Sequence, residues 1–326
     1  MSHQTTAPMM LSAQALCCVI RAPRTAASIP RAAGPSTSFL GTSRRMKLVP
    51  PAPESEDSMD TQKLAVREFW ERAACGETLY LAAIDRAAYE AHAKARYALE
   101  PYILDFARFN EAVEKRVLEI GTGLGADHQA FAEARAELYG IDLTERALAH
   151  TKARLEAFGL SSRLSVGDAE RLNFPDNFFD IVYAWGVLHH TPDTPRAVGE
   201  VWRVLKPRGV ARIMLYHKWS LVCFMLWLRY ALLRLRPWLT FKQVCARHLE
   251  SPGTKVYSVS EARRLFSAFS QVSIRTVLTH GDLLESPVGQ RHRGLLLTLA
   301  RAFWPRSLLR RLAPNAGHFM LIEATK

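Results

Sequence analysis

Short runs of β-branched and aromatic residues alternate with amphipathic stretches through the middle of the chain, and this alternation constrains the fold most. Strands are expected at 117–120, 138–142, 164–166, 179–185 and 209–216, with helices at 126–136, from Thr144 to 158, and at 194–205. Strands separated by helices need crossover connections, which give a mostly parallel sheet covered on both faces. Upstream, helices are expected at 61–75, at 79–97 and after Pro101. Downstream, Ser258-Val259-Ser260-Glu261 is a capping box for a helix over 261–269, and strands are expected at 271–279 and 318–324. The five cysteines are scattered without a C-x-x-C pair, which argues against a disulfide framework or a zinc ribbon and fits a reducing compartment. No uninterrupted apolar run reaches the roughly 18 residues of a membrane-spanning helix.

The densest chemistry lies directly after the first of these strands. Glu119-Ile120-Gly121-Thr122-Gly123-Leu124-Gly125-Ala126 places three glycines between a strand and a helix, where the backbone must turn sharply and a ligand can approach closely. Asp142 ends the second strand, where a carboxylate can accept hydrogen bonds from a ribose. Gly121, Gly123 and Ala126 also satisfy the dinucleotide pattern G-x-G-x-x-G/A, so on the glycines alone a nicotinamide enzyme and a methyl-transferring enzyme both stand.

Three further motifs separate them. Gly167-Asp168-Ala169-Glu170 follows the third strand, Phe179-Asp180-Ile181-Val182 through Leu188-His189-His190 covers the fourth, and Arg203-Val204-Leu205-Lys206-Pro207-Arg208-Gly209 leads into the fifth. In this order the set resembles the class I S-adenosylmethionine-dependent methyltransferases, particularly the small-molecule methylases. The resemblance is strong over 115–217 and looser over 257–326. It implies a three-layer Rossmann-like α/β fold, with a mostly parallel seven-stranded sheet and a helical cap built from two insertions, 218–256 and 282–316. The domain would run from 59 to 326 with a helical lead-in at 61–110.

By that resemblance S-adenosyl-L-methionine is the cofactor. Gly121, Thr122, Gly123 and Gly125 would line its methionine end, with Glu119 orienting the loop. Asp142 and the adjoining Leu143 would hold the ribose, Asp168 and Ala169 would face the adenine, and the backbone at Trp185 would seat the methionine part. Arg208 departs from the family, which usually has glycine there; as a turn position it is expected to bear little on activity. The acceptor is expected to be a small, apolar molecule. A membrane-surface lipid or quinone is the narrower alternative, and an NAD(P)-dependent oxidoreductase or a non-catalytic cofactor-binding protein are the alternatives of another class. His190 is the first candidate for a base or substrate contact, followed by His189, Tyr216 and His217, all at the carboxyl ends of the fourth and fifth strands. Tyr80 and Cys75 lie in the lead-in, where they can close over the cofactor or simply pack. No acidic cluster indicates a metal site, and none is expected.

Charge sharpens the partner question. The formal net charge is +12. Residues 1–50 carry six basic side chains and no acid, 51–60 carry four acids, and 218–256 and 282–316 contribute +6 and +4, so the remainder is neutral. Residues 1–58 are expected to be disordered. Their Arg- and Ser-rich, acid-free start has the composition of an organelle transit peptide, and equally of an upstream extension. The cytoplasm is the expected location, or an organelle on the transit-peptide reading. Trp219 to Leu235 reads as one helix with Lys218, Arg229 and Arg236 on a stripe and Leu221, Phe224, Leu228 and Leu235 elsewhere. With 291–311 it forms either a lid with solvated arginines or a peripheral contact, through 218–236 and 291–311, with an anionic membrane. No nucleic-acid module is visible.

Overall fold

The computed structural model describes residues 56–285, Thr298 and 301–326. Residues 1–55 of the expected disordered extension and most of 286–300 fall outside the described residues. The first helix, α1 (Glu56–Arg72), starts within the stretch assigned to the extension. The rest of the lead-in is α2 (Glu77–Tyr80), α3 (Arg86–Leu99) and α4 (Tyr102–Ala107). The sheet comprises β1 (Arg116–Ile120), β2 (Glu137–Asp142), β3 (Arg163–Val166), β4 (Phe179–Trp185), β5 (Leu205–Tyr216), β6 (Gln271–Val277) and β7 (Phe319–Thr325). Crossovers run through α5 (Ala126–Glu133), α6 (Glu145–Ala157) and α7 (Thr194–Val204).

The strand order is β3-β2-β1-β4-β5-β7-β6. The first five strands are parallel, and β7 is antiparallel to both its neighbours. Alternation along the central strands sorts the core into two layers. Leu118, Val182, Ala184 and Ile213 face Ala197, Val198, Val201 and Val204 of α7. Val117, Ile181, Tyr183 and Met214 face Ile103, Phe106 and Phe131. Both faces being covered, β1 buries every residue after Arg116, and β4 is apolar at every position except Asp180.

β5 begins earlier than its sequence pattern indicates, at Leu205, and passes through a sharp turn. A Cβ on Gly209 would lie 2.9 Å from the Lys206 carbonyl oxygen and 3.2 Å from that of Asp180, so glycine is required there by close approach. Arg208 sits at φ 66°, a left-handed conformation that a residue with a Cβ adopts at a cost.

After Tyr216 the chain leaves the sheet and returns at Tyr257, whose N–H donates to the Tyr216 carbonyl at 2.9 Å while Lys218 N–H donates to the Tyr257 carbonyl at 2.8 Å. Between these points lie α8 (Leu221–Tyr230) and α9 (Phe241–His248), followed by α10 (Val259–Leu265) beyond the return. The single helix expected through Leu235 is not formed. α8 stops at Tyr230, a 3-10 turn spans Leu232–Arg234, and Leu235 turns left-handed at φ 55°. Arg236 N–H closes back on the Ala231 carbonyl, and Pro237 follows, so helical continuation is blocked. The expected basic stripe is therefore broken. Lys218 precedes the helix and pairs with Glu261 at 3.3 Å, and α8 buries Cys223 and Leu226, leaving Phe224 and Leu235 exposed. α8 and α9 meet through these apolar residues, with Cys223 and Cys245 Sγ atoms 3.2 Å apart.

Candidate active site

The loops after β1, β2, β3, β4 and β5 all emerge at one edge of the sheet, the carboxyl edge, where ligands bind in open α/β folds. Gly121, Gly123 and Gly125 take φ 79°, 54° and 74°, so the whole β1–α5 loop is built on left-handed glycines. A Cβ on Gly123 would meet nothing within 4 Å, whereas one on Gly121 would strike Val187 at 2.2 Å. The loop is packed from below and open above. α5 starts at Gly125 without a capping side chain, which leaves its first N–H groups available to an anion. Asp142 closes the loop from the side: its carboxylate accepts from Gly123 N–H at 3.3 Å and from the Thr144 N–H and hydroxyl at 3.0 and 2.8 Å. Burial pushes the Asp142 carboxyl up, and these hydrogen bonds oppose that.

Glu119 points beneath the loop. It shares a 2.8 Å hydrogen bond with His128 Nδ1, and burial holds its carboxyl well above the usual range. Thr122 is buried and accepts from the Thr151 hydroxyl at 3.0 Å. Leu143 is half-buried beside Asp142, and Ala169 is buried after β3. Asp168 accepts from the Glu170 N–H and pairs with Lys63 of α1 at 2.6 Å. Lys63 also pairs with Glu170 at 2.7 Å, and Glu170 in turn accepts from Asp193 N–H.

A second cluster gathers where β4 and β5 end. His190 Nδ1 lies 2.8 Å from the Ser251 hydroxyl and 3.2 Å from that of Thr254, and its Nε2 is 3.4 Å from Glu250. The Tyr216 hydroxyl donates to Glu250 at 2.7 Å. Burial raises the Glu250 carboxyl, but hydrogen bonds to His190 and Tyr216 outweigh it and hold the group below its ordinary range. Burial and the Glu250 charge push the Tyr216 phenol well above its usual range, so it keeps its proton. His189 lies 3.9 Å from the Tyr216 ring and 4.3 Å from that of His190; it is fully buried and held neutral by burial. Neither of its ring nitrogens has a hydrogen-bond partner among the described residues. His217 stands outside the group, its ring bonded to the Gly317 carbonyl. The sequence indicated no metal cluster, yet nitrogen and oxygen atoms of His189, His190 and Glu250 come within 4.8 Å of one another.

Trp185 joins the two halves. It stacks on Tyr102 at 6.1 Å and donates to Glu100, whose carboxyl burial raises to about 7. Tyr80 is half-buried with its hydroxyl unpartnered among the described residues, and Cys75 is exposed. Trp70 of α1 meets His190 edge to face, their ring centroids 5.5 Å apart. Lys63, Glu100, Glu250 and Ser251 were not singled out from sequence. They arrive from the lead-in and the cap, remote in sequence from every motif. Only Glu250-Ser251-Pro252-Gly253-Thr254, a dense turn signal after a helix, marks its position at all.

Residues 118–213 match the family model described as a methyltransferase domain. An uncharacterised methyltransferase of Bacillus subtilis is 39% identical over 97 residues, 29% of this chain and 38% of that protein. A sterol 24-C-methyltransferase of Aspergillus fumigatus is 36% identical over 98 residues, 29% of this chain and 26% of that protein. The match thus spans less than half the length of these relatives. Among solved structures, a Haemonchus contortus phosphoethanolamine N-methyltransferase shares the fold at TM-score 0.51 and 18% identity, over 80% of this chain and 60% of that one. Residues 118–213 thus carry a methyltransferase domain, on the fold that the class I S-adenosylmethionine-dependent enzymes share. That domain presents an open glycine loop, a helix start without a capping side chain, and an acid at the end of β2. The sheet departs from the expected local pattern in the strained Arg208 and the early start of β5.

Proposed function

We propose that this protein methylates a small acceptor with an apolar or aromatic body and one proton-bearing nucleophile. The observation that carries the reading is the Tyr216–Glu250–His190 network, at the carboxyl edge that also bears the glycine cradle. In this reading the uncapped start of α5 and the loop of Gly121, Thr122, Gly123 and Gly125 bind the methionine end of the donor, and Glu119 supports that loop through His128. Asp142 and Leu143 hold the ribose, Asp168 and Ala169 the adenine, and Trp185 walls off the methionine part. When bound, the donor supplies a sulfonium methyl already activated for displacement, so the chain contributes alignment, exclusion of water and proton removal. The His190–Glu250 pair, 3.4 Å apart, takes up the one proton that the nucleophile loses as the methyl group arrives. Ser251 and Thr254 fix the imidazole from behind, while Trp70 and Trp185 keep water out.

A lipid or quinone acceptor is the narrower form of the proposal. It is supported by the relatives, which include sterol, quinone and phosphatidylethanolamine methyltransferases, and by the exposed apolar surface of the cap.

The test uses donor carrying a labelled methyl group, with a panel of phenols, amines, quinols and lipids, and mass spectrometry to find the added methyl. Label in one acceptor class identifies it. Calorimetry that detects NAD(P) but no S-adenosylmethionine binding would remove the proposal. Donor binding with no transfer to any extract would leave the non-catalytic alternative.

A further inference from the structure

We infer that the tip between α8 and α9 is a docking surface for an anionic lipid bilayer. Seven consecutive residues, Leu232-Leu233-Arg234-Leu235-Arg236-Pro237-Trp238, are all exposed, with Leu233, Leu235 and Trp238 at 62%, 83% and 73% of full exposure. Folded proteins tolerate scattered surface leucines, but three leucines and a tryptophan on one tip leave a contiguous apolar area without a cover of its own. Trp219 and Phe224, at the near end of the same insertion, are exposed as well.

Charge selects the occupant. From Trp219 to Leu249 there is no acidic residue, and Arg229, Arg234, Arg236, Lys242 and Arg247 are basic. Leucines that enter the acyl boundary, a tryptophan at headgroup depth and arginines that reach back to phosphates together match the interface of an anionic membrane. A second copy of this surface would bring like charges together. A nucleic acid would take the arginines and leave the leucines in water. The fold supports the tip as a rigid projection. α9 starts in a capping box of Thr240 and Gln243, Trp227 Nε1 donates to the Leu239 carbonyl at 2.7 Å, and Tyr230 stacks on His248 at 3.9 Å.

The second basic segment is tied to the base of the first. Asp282 accepts from Val222 N–H through its carboxylate and from Trp304 Nε1 through its carbonyl. The helix Arg306–Leu312 beyond it exposes Leu308 and Leu312 among Arg310 and Arg311. Docking does not depend on methyl transfer. The two are joined in the chain, however, because α9 runs from the tip to Glu250.

Flotation of the full chain with vesicles tests the inference. Recovery is expected with phosphatidylcholine mixed with phosphatidylglycerol, weak recovery with phosphatidylcholine alone, and a decline as salt is raised. Each basic residue near an anionic surface multiplies binding about fivefold, so Arg234→Glu with Arg236→Glu should cut partitioning more than about tenfold. Leu235→Ser with Trp238→Ser should abolish it even at low salt. Both pairs are exposed, and unchanged circular dichroism and donor binding would show that the variants fold. Absence of flotation with anionic vesicles would overturn the inference, and so would variants that float like the wild type. Self-association or RNA retention that needs Leu235 and Trp238, without flotation, would overturn it too. A chain that floats but binds no donor would sink the catalytic reading and leave docking intact.

Discussion

The lead-in and the cap both contribute to the carboxyl edge of the sheet, but they are held in different ways. The lead-in is pinned by charge. Glu77 takes a two-point hydrogen bond from Arg146 at 2.7 and 2.5 Å, Glu71 accepts from the Glu145 and Arg146 N–H groups at the start of α6, and Lys63 bridges Asp168 and Glu170. These contacts cluster beside Asp142, on the proposed donor half. The two cap helices are joined by packing, through Cys223, Leu226, Val244 and Cys245, and the cap reaches the other half through Glu250 and Ser251. On the proposed function, one cover therefore bears on how the donor is held, and the other on what happens to the acceptor's proton.

The largest expected effect tests the cap's side of this division. Glu250→Gln should lower turnover by roughly a hundredfold or more, the scale of a general-base contribution, while donor affinity stays level. Loss of donor affinity in this variant would erase the distinction. On the donor half, Asp142→Ala should weaken donor binding on the order of tenfold or more by calorimetry, since hydrogen bonds to a charged group are lost. An unchanged affinity would mean that the ribose lies elsewhere. Arg208→Gly touches neither cover and relieves a left-handed backbone, so it should stabilise the fold by about 1 kcal/mol with kinetics unaltered. A lower melting temperature would refute the strain.

Acid provides the finest comparison. The hydrogen bonds from Arg146 hold the Glu77 carboxyl down, from 4.5 to about 2. A depressed carboxyl contributes stability above its unfolded value and loses it as pH falls, here from 4.5 toward 2. Hydrogen exchange should therefore quicken in α1 and α2 over that range and lose this dependence in Glu77→Gln. The apolar seam between α8 and α9 should keep its protection, and parallel loss there would break the contrast.

What could be read from sequence follows the same boundary. The strands and the glycine loop were legible because their signals are local. Alternation sets strand faces, and Gly121, Gly123 and Gly125 each need a conformation that other residues resist. The histidines could be placed by their position after β4. Their partners could not. Glu250 lies 60 residues beyond His190 and became visible only when α9 delivered it. The helix expected through Leu235 failed for a related reason: apolar periodicity persisted, but the left-handed Leu235 and the bond from Arg236 back to Ala231 ended it earlier. Arg208 has the same lesson on a smaller scale, a turn position whose strain is invisible until its φ is known.

The insertion that begins after Tyr216 and ends at Tyr257 returns to the very strand it left, one hydrogen bond from its point of departure. Its two ends are thus fixed at one place on the sheet, independently of the path that the segment takes between them. Because the same segment carries both the exposed tip and Glu250, replacing it would, on the two proposals above, exchange address and chemistry in a single event. A scaffold arranged in this way can acquire a new location and a new substrate together, without altering the strands that hold the donor.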